Sequence, residues 1–538
     1  MTRVAILTVT PGLFALFASS FAKPAVQLLK GVSSIPARDP ALHSLTWPPP
    51  APYDNIAKDL GAAAAASTAA CEAACIAYRN TTVSPVSGWT RCTSFTHVPG
   101  VSATRHMRKQ PSRCIAVVDA SEWSPSPLDG AAAGRVTWPP QPCFSDADCS
   151  FNGACNTTST LCDCDVAWTG DRCQSLALEP TLPDAGLRLT SAAGKNISSW
   201  GGAVLIDLGE SDTGPMFHMW ASEMEAGCGI DTWRSNSRIV HATSTDGVHF
   251  SREGVVFERF AHEPTVERAP SGEWVMWYTG EVEGASPPPL CTQCSDGVTP
   301  ANTSCGTGAG ASGPTYLSWA HSPWGPWSTP QRLFAAQSNE TNMDTNLAAT
   351  ILADGSVVGI GRTGGAPTGI LAHLVTARHW RDPSSYVGRW QQLLFPDTAR
   401  LPFAGVEDPF VWYDRARRVF HAVFHNQIEG DDERLCGGHA FSADGEHWTF
   451  GGTAWSNRVH FRNHTYRFSR RERPHLLLDG HGAIVALTTA VQFGAHAPTY
   501  RKGEDACYTL LQPVRRKHMR EAVARPRAER QTSHERRK

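Results

Sequence analysis

Apolar residues in the C-terminal two-thirds of the chain fall into short alternating runs, and the runs come in sets. One run of each set reads Phe217-His218-Met219-Trp220, Val275-Met276-Trp277-Tyr278, Val357-Val358-Gly359-Ile360, Phe420-His421-Ala422-Val423 or Ile484-Val485-Ala486-Leu487. Turn residues such as Ser271-Gly272, Asp354-Gly355 and Asp479-Gly480 precede them, which predicts β-strands. A further run recurs from His241 to Phe250, from Trp319 to Trp327 and from His439 to Trp448, with a weaker copy from Ala372 to Trp380. The sets open on Trp200-Gly201-Gly202-Ala203, His262-Glu263-Pro264-Thr265, Asp344-Thr345-Asn346-Leu347, Glu407-Asp408-Pro409-Phe410 and Glu472-Arg473-Pro474-His475. Aligned on Gly202, Pro264, Asn346, Pro409 and Pro474, the frame returns roughly every 60 to 80 residues. Each set has the content of a four-stranded blade, so five sets predict a five-bladed β-propeller over residues 176–513 of a mostly β, multidomain chain. The inner strands of such a ring line one channel. Glu263, Asp344, Glu407, Asp408 and Glu472 therefore converge at one end of it.

The N-terminal third is patterned differently. Residues 1–22 read as a secretory signal: Arg3 precedes an apolar run that ends in Ser20-Phe21-Ala22. Residues 23–52 are Pro-rich and are expected to be an extended linker. Residues 53–140 form a small module in which an alanine-rich helix, Ala62 to Ala74, carries Cys71 and Cys75 one turn apart, with Cys92 and Cys114 following. Residues 141–175 hold Cys143, Cys149, Cys155, Cys162, Cys164 and Cys173. Residues 514–538 are basic and expected to be a disordered tail.

Charge and cysteine usage narrow the picture. A net charge of −2 over 538 residues gives no global nucleic-acid signal. Sixteen cysteines, with sequons at Asn80, Asn156, Asn196, Asn302, Asn339 and Asn463, point to a glycoprotein that is secreted or held in the secretory-pathway lumen. No stretch after the signal is long and apolar enough to cross a membrane. Cys291, Cys294 and Cys305 sit in one insertion, where disulfides to Cys228, Cys436 or Cys507 are favoured over a zinc site. His218, His241, His262 and His421 lack metal-ligand spacing, and no cofactor fingerprint is present, so neither metal nor cofactor is expected.

Three resemblances add to this reading. Residues 53–140 resemble a PAN/apple module, which implies Cys71–Cys114 and Cys75–Cys92 pairs. The run from Cys162 to Cys173 is similar to the EGF-like signature, which implies Cys143–Cys155, Cys149–Cys162 and Cys164–Cys173; spacing alone allows fifteen connectivities. Such modules bind extracellular proteins or glycans, and an EGF-like module is most often a spacer or an adhesion unit. The propeller resembles the five-bladed glycoside hydrolases of the arabinanase, xylosidase and invertase groups. The likeness is carried by Val406-Glu407-Asp408-Pro409-Phe410-Val411-Trp412, then by Arg471-Glu472-Arg473-Pro474 and Ala261-His262-Glu263-Pro264. It implies a glycan or polysaccharide partner, with Glu407 as proton donor and Asp344 as an orienting, pKa-tuning acid. Glu263 or Glu472 would serve as base or nucleophile, and Asp408, His262 and Arg473 would contact substrate. The first blade departs from that pattern, since Trp200-Gly201-Gly202-Ala203 offers no carboxylate where these hydrolases bring their base. A non-catalytic lectin-like or adhesion protein is thus the competing reading. Arg470, Arg471 and Arg473 are expected to neutralise the clustered acids. Trp220, Trp277 and Trp412 are expected in the blade cores.

Overall fold

The computed structural model describes residues 25–33, 57–59, 69–70, 92–98, 113–118, 126–137, 142–209, 214–281, 288–300, 313–334, 346–363, 371–389, 405–427, 437–493 and 505–516. Cys71, Cys75, Asn80, Asn302, Asn339 and Asp344 lie outside these residues, as do residues 1–22 and 517–538. The chain divides into two compact units. The first contains one five-stranded antiparallel sheet in the order Ala25–Ser33, Ser126–Thr137, Cys92–Val98, Arg113–Val118, Ala57–Asp59. Part of the segment expected as linker is therefore an edge strand, Ala25–Ser33. Cys92 and Cys114 lie on strands of which only the backbone is described.

In the second unit five four-stranded antiparallel sheets follow one another as the blades of a β-propeller. Blade 1 runs Ser199–Asp207, Met216–Met224, Ser237–Ser244, Ser251–Phe257 from the channel outwards. Blade 2 is Ala261–Arg268, Trp274–Gly280, Thr315–Ala320, Gln331–Arg332, and blade 3 is Ala348–Ile351, Val357–Thr363, Leu371–Ala377, Val387–Arg389. Blade 4 is Gly405–Asp414, Val419–Gln427, Gly437–Ser442, Thr449–Trp455. Blade 5 is Arg470–Leu478, Ile484–Gln492, Cys507–Pro513, and its outer strand is Gly186–Leu187 from the start of the ring. That last pairing ties the two ends of the propeller together, which leaves the ring without an open seam.

Alternation along the strands explains the packing. Each junction between blades has its own apolar cluster. Trp220 and Ile239 meet Val266 and Trp274 between blades 1 and 2, and Trp277 and Leu317 meet Ile351 and Val375 between blades 2 and 3. Ile360 and Leu374 meet Val411 and Phe424 between blades 3 and 4, Phe410 and Trp412 meet Leu476 and Leu487 between blades 4 and 5, and Leu477 and Leu511 meet Val204 and Met219 between blades 5 and 1. Each such side chain contributes about 1.5–3 kcal/mol by leaving water. The third-strand motif closes on itself: Asp444 Oδ1 accepts from the Glu446 and His447 amides at 2.8 Å, and His447 Nδ1 lies 2.7 Å from Oδ2. Asp246 and His249 repeat this in blade 1. The charged residues of that motif thus build turns.

Residues 142–176 form a disulfide module ahead of the ring. Bridges join Cys143 to Cys155, Cys149 to Cys162 and Cys164 to Cys173. The module packs directly against the ring. Trp168, 6% exposed, lies 4.8 Å from the His439 ring, and Phe151 meets Phe441 edge-on at 5.4 Å. Ser175 Oγ donates to the Thr453 carbonyl at 2.7 Å, and Asp165 pairs with Arg417 at 2.9 Å. The module's apolar side merges with the cluster between blades 4 and 5. Trp168→Ala is expected to cost about 3–5 kcal/mol. It should open the module to proteolysis while leaving the ring folded; an unchanged melting temperature and cleavage pattern would refute that anchoring.

Further differences from expectation are local. Val514 and Arg515 donate backbone bonds to Val485 and Ala177, so the tail begins after the ring's last contacts and not at residue 514. Of the partners open to the insertion's cysteines, Cys228 is used, bonding Cys294; Cys507 stays a buried free thiol, pushed up to about 12 by burial. Asn196 and Asn463 are exposed, and Asn156 is half-buried with its carboxamide oxygen accepting from Thr158 and Ser159. Among the described residues no helix is long and apolar enough to cross a membrane.

Candidate functional site

Each blade holds one residue in the left-handed region, on its inner strand or, in blade 3, two residues before it, near the same end of the channel. These are Gly201 (φ 66°), Glu263 (φ 53°), Asn346 (φ 40°), Asp408 (φ 52°) and Arg473 (φ 50°). In four blades that residue lies inside a β-bulge, where the ladder skips between Trp200 and Ala203, His262 and Thr265, Glu407 and Phe410, and Glu472 and His475. A bulge re-aims one side chain at the cost of a ladder bond. Proline follows at 264, 409 and 474, where the missing N–H leaves no ladder bond unmade. The structural frame therefore aligns Asn346 with Glu263 and Asp408, one place off the alignment on prolines. Four non-glycine residues held there cost roughly 1–3 kcal/mol each, and strain concentrated at one place marks a site.

The five positions meet around the channel mouth. Asn346 Nδ2 donates to Asp408 Oδ1 at 2.6 Å and to Glu263 Oε2. Arg362 Nη1 donates to Asn346 Oδ1 at 3.2 Å and pairs with Glu407 Oε1. His425 stands between two acids, 3.5 Å from Glu407 Oε2 and 3.7 Å from Glu472 Oε1. Arg470 grips Glu472 through two bonds of 2.6 Å. Arg473 crosses from blade 5 to blade 2, donating to the Glu263 carbonyl at 2.7 Å and to Thr265 Oγ1 at 3.0 Å, with Nη1 3.7 Å from Asp408 Oδ1. This crossing explains the glycine of blade 1: a Cβ on Gly201 would stand 2.5 Å from Arg473 Cγ. The place left without an acid is the place the guanidinium stem occupies.

The predicted residues divide accordingly. Glu263, Glu407, Asp408, Glu472 and Arg473 are brought together, with His262 beside them, its Nε2 3.5 Å from Glu263 Oε1. Asp344 is outside the described residues. Arg471 bonds Thr489, Ser456 and Gln512 within and beside blade 5, whereas Arg470 and Arg473 reach the acids. Arg362, His425 and Asn346 complete the site without having been singled out as chemistry. The sequence signal of His425 is a polar residue at the end of an apolar run, Phe424-His425-Asn426, and that of Asn346 is its place in the repeat frame.

Burial and charge set the protonation states. For Glu407, burial acts upward, but Arg362, His425 and Arg470 outweigh it and hold the carboxyl at about 2. Asp408 is pushed up to about 7 by burial, Glu407 and Glu472, against Arg473 and His425. Glu263 is pushed well above the usual carboxylate range by burial and by Asp408. His425 is raised to about 9: burial opposes its charge, yet Glu472, Glu407 and Asp408 prevail. At neutral pH Glu407 is thus a carboxylate, the state of a base or nucleophile and not of the proton donor that the motif implies. Glu407, Asp408, His425 and Glu472 each present an atom within 4.8 Å of the others and could hold a cation. Arg362, Arg470, Arg473 and a protonated His425 already supply four positive charges there, so a metal would have to displace them.

No family model matches the chain, and no curated protein matches it. Among solved structures, a GH43 beta-1,3-galactosidase matches 62% of this chain and 60% of its own at 15% identity and a TM-score of 0.39. The catalytic domain of the GH62 alpha-L-arabinofuranosidase of Coprinopsis cinerea matches over 63% and 96%, at 12% identity and 0.39. An endo-arabinase of Bacteroides thetaiotaomicron matches over 63% and 98%, at 14% and 0.37. The chain thus spans less than two-thirds of the galactosidase and nearly the whole of the other two.

Proposed function

We propose that this is a secreted, carbohydrate-active protein that hydrolyses glycosidic bonds at the channel mouth. One observation carries the reading. Glu263 and Glu407 are the most exposed acids of the described cluster, 11% each against 6% for Glu472 and 2% for Asp408, and their surroundings push them in opposite directions. Glycosidic cleavage needs such a pair: one carboxylic acid to protonate the leaving oxygen, one carboxylate to act as base or nucleophile. Glu263 takes the first role and Glu407 the second, which exchanges the roles that the motif implies. Asp408, buried and linked to Glu263 through Asn346, favours the proton on Glu263 by like-charge repulsion. Arg473 and Arg362 hold the acids in place. In this reading the disulfide module is EGF-like and braces the ring, and residues 53–140 are a PAN/apple-like module.

The test is turnover of a panel of aryl glycosides and polysaccharides by the full chain, with Glu407→Gln as control. Release of aglycone by the wild type and its loss in the variant support hydrolysis. Glycan binding without any release would return the protein to a lectin-like role.

A further inference from the structure

Behind Glu263 lies a chain of hydrogen bonds that the proposed reaction does not yet use. Ser237, the first residue of the third strand of blade 1, is fully buried. Its hydroxyl donates to the Ala261 carbonyl at 2.9 Å, which commits its only proton. Ser237 Oγ also lies 2.7 Å from His262 Nδ1, so the proton in that contact belongs to the imidazole: Nδ1–H donates to Oγ. The ring cannot swing away, because it is buried and stacks on Trp233 at 5.0 Å with 25° between the planes. Its second nitrogen is left as a bare acceptor, 3.5 Å from Glu263 Oε1. The other carboxyl oxygen, Oε2, accepts from Asn346. An ionised Glu263 would set the lone pairs of Oε1 against that of Nε2. A protonated one would donate from Oε1 to Nε2.

We propose that Ser237 and His262 are positioning residues that hold the proton of Glu263 on Oε1 by locking the imidazole in its Nδ1–H tautomer. The inference rests on reading Glu263 as the proton-bearing acid. The charged groups that face Glu263 are Asp408 and Glu407 on one side and Arg473 and Arg362 on the other; Arg473 also faces His262. Burial and Arg473 keep His262 neutral, so its two nitrogens retain distinct roles. Trp233 and Phe260 close the remaining side of the ring with apolar surface.

The experiment reads the tautomer directly, by two-bond nitrogen–proton NMR of the full chain labelled in histidine, between about pH 5.5 and 8. The His262 signal is assigned by its loss in His262→Gln. The expected pattern is neutral and Nδ1-protonated across that range. Ser237→Ala removes the acceptor and should shift His262 toward Nε2–H, which donates to a carboxylate and lets Glu263 ionise more easily. The alkaline limb of turnover should then move to lower pH by about one unit, with Ser237→Thr restoring both signals. An Nε2–H pattern in the wild type, a tautomer indifferent to Ser237→Ala, or an alkaline limb that stays put when the tautomer flips would each overturn the relay. A wild type with the Nδ1–H tautomer and no turnover would sink hydrolysis and leave the relay standing.

Discussion

Glu263→Gln should stop the cleavage of glycosides with poor leaving groups and spare those with good ones, while Glu407→Gln should fail on both. A dinitrophenolate leaves without a proton, so the acid is dispensable for it; an alkoxide does not. Removing a general acid costs about 10²- to 10⁴-fold where its proton is needed. Losing the carboxylate that attacks, or that activates water, is felt with every substrate. The assignment follows from the surroundings of each group. Arg362, His425 and Arg470 hold the Glu407 carboxyl far below neutral pH, so at pH 7 it is a carboxylate and not a donor. Glu263 carries its proton because burial and Asp408 oppose its charge. The pH profile should follow the same logic. The reactive form has its proton on Glu263, so kcat/KM should decline only where Glu263 itself ionises, well above the usual carboxylate range, and ionisation of Asp408 near 7 should strengthen the hold on that proton. If Glu407→Gln were the variant that spares the dinitrophenyl substrate, the two roles would be reversed. Equal loss in both variants with every substrate would remove the acid–base pair altogether.

The period of this fold was legible because strand alternation and turn residues are local properties. The site was only half legible. Glu263, Asp408 and Arg473 announce themselves by standing just before proline at the frame's start, a chemical consequence of the bulge each occupies. Asn346 has no proline after it, and so its place in the ring was set one residue off. Arg362, His425 and Ser237 sit at strand ends in other blades, and which strand ends face each other across a channel is a tertiary fact with no local signature. Gly201 is the instructive case. Read along the chain it is a missing acid; in the ring it is the clearance for the Arg473 stem. The disulfide module shows the same division. Its cysteines carry a signature in their spacing, but nothing in the sequence says that Trp168 is the residue by which it docks on blade 4.

The ring should be markedly less stable at pH 5 than at pH 7, although its carboxylate cluster alone suggests the reverse. Burial holds His421 and His475 at about 3, and pushes His262 and His439 well below the ordinary histidine range. A group with a depressed folded pKa contributes stability that is present above its unfolded value near 6.5 and is lost as pH falls through the folded one. Each such histidine costs about 1.4 kcal/mol per pH unit below 6.5. Glu263, Asp408 and Glu267, the last pushed up to about 8 by burial, are raised in the folded state and work the other way over the same window. His425, raised to about 9, is already charged throughout it and adds no slope. With His218 and His241, both held at about 4, acting in the same direction, six histidines against three acids leave on the order of 4 kcal/mol per pH unit. Against a total stability of about 5–15 kcal/mol this is a large fraction. The melting temperature should fall by roughly 5–10 °C between pH 7 and pH 5 at constant salt. His421 and His439, 3.1 Å apart beneath Trp168, put the strongest acid sensitivity at the docking face of the disulfide module, which should become protease-sensitive before the ring melts. His439→Gln removes one titrating group and should flatten the slope by about 1.4 kcal/mol per pH unit. A melting temperature equal or higher at pH 5 would show that these imidazoles are not held neutral. With Glu407 ionised down to about 2, any acid limb in turnover should then track unfolding, and calorimetry and kinetics should lose their signals together.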